Sequence, residues 1–137
     1  MKLCTQCKEP GRFYKDKAQK DGLQTKCTRC KHRNYYEKKN NLVKELKESS
    51  PCTDCKLHFP YWMMQYDHLG DKRFSIRAAI TKLGVSDLLV EISKCELVCA
   101  NCHANRTYCR STGQELTEVL GQIERPSHQL LTSRPNI

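Results

Sequence analysis

The sequence predicts a small α+β fold, and three observations point to it. Only 38% of the 137 residues are hydrophobic, too few to fill a large core. Ten cysteines compensate for that shortage, and eight of them stand in C-x2-C pairs: Cys4 and Cys7, Cys27 and Cys30, Cys52 and Cys55, Cys99 and Cys102. That spacing offers two thiolates at a time to a tetrahedral ion, so two structural Zn2+ ions are expected. The third observation is the alternation of short strand-like runs with helical patterns along the chain.

Disulfides are the competing use of so many cysteines. Met1-Lys2-Leu3-Cys4 leads straight into polar, basic sequence with no apolar run, so a reducing, cytoplasmic setting is expected. No run approaches the roughly 20 apolar residues of a spanning helix, which removes the membrane as a partner. A net charge of +9 points instead to a polyanion, and DNA is the expected partner. The charge is concentrated: residues 1–50 carry 14 Lys and Arg against 6 Asp and Glu, whereas residues 51–110 carry 8 against 6.

Residues 1–33 are expected to form a four-cysteine zinc finger on Cys4, Cys7, Cys27 and Cys30, with a turn at Asp21-Gly22 and lysines facing phosphates. Residues 34–50 read as a basic linker helix. The stretch from Lys31 to Lys47 holds no Gly or Pro, has Tyr35, Leu42 and Leu46 at near-helical spacing, and is stopped by Ser49-Ser50-Pro51. Tyr35 and Tyr36 are expected to pack against the finger rather than stack on bases. In residues 51–110 the apolar run 61–66 has strand length and ends at Asp67-His68. Two helical patterns follow, 74–83 and 86–94, broken by Gly84 and with Ser86 as an N-cap. A strand at 96–98 then enters the last pair, and a helix covers 103–110. Residues 111–137 read as a weak helix over 114–123 and a loose polar tail with Pro126 and Pro135.

Cys52, Cys55, Cys99 and Cys102 would close a tetrahedral site with no open position, so their metal is structural. Cys95 and Cys109 fall outside the pairs and read as buried free thiols. What remains inside the frame is reactive: Asp67, His68 and His103. Phosphodiester hydrolysis needs a water, a base to take its proton and a cation to stabilise charge on the leaving oxygen. His68 suits the base, because an ordinary imidazole is unprotonated at neutral pH. Asp67 offers a hard oxygen and His103 a nitrogen to one divalent ion, with Mg2+ or Mn2+ the best fit.

Cys52-Thr53-Asp54-Cys55, Gln65-Tyr66-Asp67-His68 and the run from Glu96 to Thr107 together resemble the HNH endonucleases, over about residues 51–110. The resemblance implies a treble-clef-like ββα-metal fold in which Asp67 and His103 bind the catalytic ion and His68 is the general base. It also implies a phosphate contact for Arg106 and an endonuclease acting on DNA. The chain departs from the family at the middle motif residue, usually an Asn; Lys94 and Cys95 stand there, with Asn101 and Asn105 as candidate substitutes. The excursion over 74–94 is longer than a minimal loop needs, and is expected to be an extra packing or DNA-contact element. Residues 1–33 also look like the zinc-finger segment that precedes the nuclease module in small phage-type HNH proteins. Double-strand cleavage from one active site would favour a homodimer or sequential nicks. The alternatives are a non-catalytic zinc-finger DNA-binding regulatory protein, which leaves Asp67, His68 and His103 without a shared purpose, and a zinc scaffold for protein interactions.

Overall fold

The computed structural model describes residues 1–115 and divides into two compact units, Met1–Cys99 and the segment from Ala100 onward. Among the described residues there are four α-helices and a two-stranded sheet, so the chain is a small α+β protein.

The first unit opens with a finger that has almost no regular structure. Single β-bridges join Leu3 to Pro10 and Lys15 to Leu23. The turn between the latter pair needs a left-handed residue, and Gly22 supplies it at φ 69°. The Asp21 carboxylate accepts from the Leu23 N–H at 3.1 Å and from Lys2 Nζ at 2.6 Å, closing the turn. Buried Cys4, Cys27 and Cys30, with Cys7 and Phe13 against them, are all the core this finger has. Cysteines replace hydrophobes here, as the composition requires.

Helix α1 spans Thr28–Glu48 and begins immediately after Cys27, so the second cysteine pair forms its first turn. It therefore starts inside the finger rather than at residue 34. Its buried residues are Cys30, Lys39 and Val43, whereas Tyr35 and Tyr36 are exposed rather than packed on the finger.

Strand β1, Met64–His68, pairs antiparallel with β2, Cys95–Cys99, in a register that sets Asp67 opposite Glu96 and His68 opposite Cys95. The strand expected over 61–66 starts later, because Tyr61–Met63 form a 3-10 turn closed by the Met63 N–H to the Pro60 carbonyl at 2.9 Å. Between the strands lie α2, Ile76–Lys82, and α3, Val85–Ser93. Ser75 caps α2, its hydroxyl accepting from the Ala78 N–H at 3.2 Å. The cap of α3 is Gly84, and Ser86 lies inside the helix, where its hydroxyl has no such role. Val43 of α1 joins Ala79, Ile80 and Leu88 in the main core, and Tyr66, Phe74 and Ile92 pack around it.

In the second unit, α4 covers Ala100–Thr112. Gly113, at φ 73°, ends it with a bond from its N–H to the Cys109 carbonyl at 2.9 Å. Gln114 and Glu115 are not helical. The rest of the helix expected over 114–123, and the proline tail, lie outside the described residues. Among those described, no helix is long and apolar enough to cross a membrane.

Candidate metal centres and catalytic site

All ten cysteines are free of disulfides, and eight form two groups: Cys4, Cys7, Cys27 and Cys30; and Cys52, Cys55, Cys99 and Cys102. Within each group the four sulfur atoms lie within 4.8 Å of one another. A zinc–sulfur bond of about 2.3 Å in a tetrahedron separates sulfurs by roughly 3.8 Å. Cys7 Sγ and Cys27 Sγ are 3.9 Å apart. Two four-thiolate sets of this size suit two structural zinc ions.

The first pair of each group is built the same way. The Cys4 carbonyl accepts from the Lys8 N–H at 2.9 Å, and the Cys52 carbonyl from the Lys56 N–H at 3.0 Å. Both lysines are left-handed, at φ 60° and 62°. The Cys27 N–H donates to Cys4 Sγ and the Cys99 N–H to Cys52 Sγ, each at 3.2 Å. These donors prepare thiolates for an ion. Burial alone would raise the Cys4 thiol, but the N–H groups of Cys27, Cys7 and Gln6 outweigh it and bring its pKa down to about 6. At Cys52 burial is likewise overcome by the N–H groups of Cys99, Cys55 and Asp54, giving about 7. Cys30 goes the other way, pushed up to about 12 by burial and by the other three sulfurs, since several negative thiolates cannot crowd together without a cation.

At the end of β1, adjacent side chains leave an extended strand on opposite faces. Asp67 therefore shares its face with its cross-strand partner Glu96, and His68 shares the other with Cys95. Asp67 is buried, at 5% exposure. His68 Nε2 lies 3.0 Å from Oε1 of Glu91, a residue of α3 with 2% exposure. The same oxygen accepts from the N–H groups of Arg73 at 3.0 Å and Phe74 at 3.2 Å, while Oε2 accepts from Lys94 Nζ at 3.1 Å. Burial alone would raise the Glu91 carboxyl; Phe74 N–H, Lys94, Arg73 N–H and His68 together hold it at about 2. Glu91 is thus an ionised, buried carboxylate, and Lys94 is raised in turn by its bond to it.

Nothing in the sequence pattern singles out Glu91, which lies 23 residues from His68 within a helix. Lys94, at the position of the expected Asn, holds Glu91, and Cys95 pairs across the ladder from His68. Burial, with the charges of Glu91 and Asp67, pushes the Cys95 thiol up to about 11, so it is a neutral thiol at neutral pH. It belongs to neither four-cysteine group, and nor does Cys109, a buried residue of α4.

His103 and Arg106 belong to the second unit, on α4, where the His103 carbonyl accepts from Thr107 Oγ1 at 3.0 Å. Asn101 and Asn105 are on the same helix. Comparison of the chain with protein-family models, curated proteins and solved structures finds no match.

Proposed function

We propose that the chain is a metal-dependent endonuclease of the HNH type that hydrolyses DNA phosphodiester bonds. His68 is the general base, Asp67 and His103 are the ligands of one divalent ion, Mg2+ or Mn2+, and Arg106 contacts the scissile phosphate. The observation that carries this reading is the divergence of Asp67 and His68 onto opposite faces at the end of β1. In an in-line displacement the attacking water and the leaving oxygen stand on opposite sides of phosphorus. The base must therefore work from one side and the charge stabilisation from the other. Neighbouring strand residues reach both sides of a phosphate held at the strand end.

The donor chemistry fits a hard cation: Asp67 offers a carboxylate, with the Glu96 carboxylate opposite it on the same face. When bound, such an ion stabilises negative charge on the leaving oxygen. His68 takes the proton of the attacking water, and the guanidinium of Arg106 offsets charge on the non-bridging oxygens. The two zinc sites take no part in the chemistry, because four thiolates leave no open position. Affinity for DNA comes from exposed bases of the finger and of α1, among them Lys17, Lys20, Lys31, Lys38 and Lys44.

Zinc-loaded protein is incubated with supercoiled plasmid, with and without Mg2+ or Mn2+, beside His68→Ala. Nicked or linear DNA that appears only with the added ion, and only with the wild type, is the expected result. Plasmid that is bound and never cut would favour the non-catalytic DNA-binding protein.

A further inference from the structure

We propose that Glu91 is the positioning residue for His68, and that it makes Nδ1, rather than Nε2, the ring atom that receives the proton. This rests on the nuclease reading and adds to it a residue and an atom.

Glu91 is surrounded by hydrogen-bond donors. Two backbone N–H groups and the Lys94 ammonium converge on its two oxygens, and the side chains of Glu91 and His68 are only 3% and 10% exposed, so little water competes. An ionised carboxylate has no proton to give and can only accept. Its 3.0 Å bond to His68 must therefore be donated by Nε2–H. A neutral imidazole carries one N–H, so Nδ1 keeps the lone pair.

Glu91 can impose this because α3 is immobilised by packing. Leu88, with 0% exposure, sits in the main core, and Ile92 packs against it. The carboxylate so placed fixes the imidazole ring through its 3.0 Å bond to Nε2. The long excursion between the strands thereby acquires a purpose: it delivers Glu91.

The test uses zinc-loaded full-length protein labelled with 15N in histidine. Long-range proton–nitrogen correlation spectra report which ring nitrogen of His68 is protonated. In spectra recorded at a pH where the ring carries a single proton, the expected result is that this proton sits on Nε2 in the wild type. Glu91→Gln keeps the shape but its amide can also donate, so the tautomers should become mixed. Its zinc content should be unchanged, its KM for DNA within about twofold, and its kcat lower by about 100-fold, the lower end of what a positioned base contributes. An Nδ1–H tautomer in the wild type, or a Glu91→Gln protein that cuts at the wild-type rate, would overturn the proposal. Because the wild-type spectrum needs no variant, an unstable Glu91→Gln protein does not remove the test. A wild type that shows the Nε2–H tautomer and cuts no DNA would instead sink the nuclease reading and leave the pairing intact.

Discussion

The ammonium of Lys39 donates to the carbonyl oxygen of Leu83 at 3.0 Å and lies 4.5 Å from the centre of the Tyr35 ring. Leu83 is the C-cap of α2, where carbonyls lack partners within the helix and a cation is favoured. A lysine from the most basic stretch of the chain is thus 3% exposed and ties the linker helix to the insertion between the strands.

Lys39 should therefore behave unlike its neighbours. Lys39→Ala is expected to cost about 1.5–3 kcal/mol in urea denaturation, the range for a hydrogen bond from a charged group. Exposed Lys31→Ala and Lys38→Ala should change stability by less than about 0.5 kcal/mol. In DNA-binding titrations each of those two should reduce the salt slope by about 1, and Lys39→Ala should leave it unchanged. The opposite pattern would put Lys39 on the DNA face.

The left-handed Lys8 and Lys56 carry a cost that glycine would not, of roughly 1–2 kcal/mol for an L-residue. Lys8→Gly is expected to stabilise the zinc-loaded protein by up to about 1 kcal/mol, with its N–H still bonded to the Cys4 carbonyl. Lys56→Gly should gain less, because the Lys56 ammonium also donates to the Thr53 carbonyl. Valine at either position should destabilise; thermal unfolding of the four variants checks the order.

Chelation should unfold the chain rather than merely loosen it, because the finger's core consists of its ligands and Phe13. Loss of far-ultraviolet circular dichroism together with release of two zinc equivalents is the expected observation. Cys30→Ala and Cys102→Ala should each remove one equivalent. Retention of full helicity by the metal-free protein would contradict this account.

Cys95, with its thiol pushed up to about 11, should resist alkylation in the folded, zinc-loaded protein at pH 8.5 and react once the protein is unfolded. Mass spectrometry of the labelled peptides reads this directly. Cys95→Ala should keep both zinc equivalents.

Glu91 links stability to pH with a definite sign. Its folded value of about 2 lies below the ordinary carboxyl value of 4.5, so its ionisation stabilises the fold above about pH 4.5, and that contribution is lost as pH falls toward 2. The stability difference between wild type and Glu91→Gln should shrink as pH falls below 4.5. Taking the difference cancels loss of thiolate ligation, which both proteins share. A difference that did not change with pH would mean that the charge of Glu91 contributes nothing.

Spacing and composition made part of this protein legible in advance. The four C-x2-C pairs identified both ligand groups, because ligand identity and local spacing are properties of the chain itself. Helix α1, strand β2 and the helix after the last cysteine pair were legible from periodicity and from the absence of Gly and Pro. Boundaries moved where local interactions outside the pattern decided them: Pro60 turned the start of one strand into a 3-10 turn, and Ser75, not Ser86, found an N–H to cap.

By itself, then, the sequence determined that the chain is basic, α+β and organised by two four-cysteine groups, with Asp67 and His68 adjacent before a turn. Only the tertiary structure decided that Lys39 is buried, that Cys95 is a neutral thiol and that Glu91 meets His68. Each of those depends on a partner distant in sequence. A side chain's charge state and hydrogen bonds follow from what packing places within about 3 Å of it, and no spacing along the chain encodes that distance.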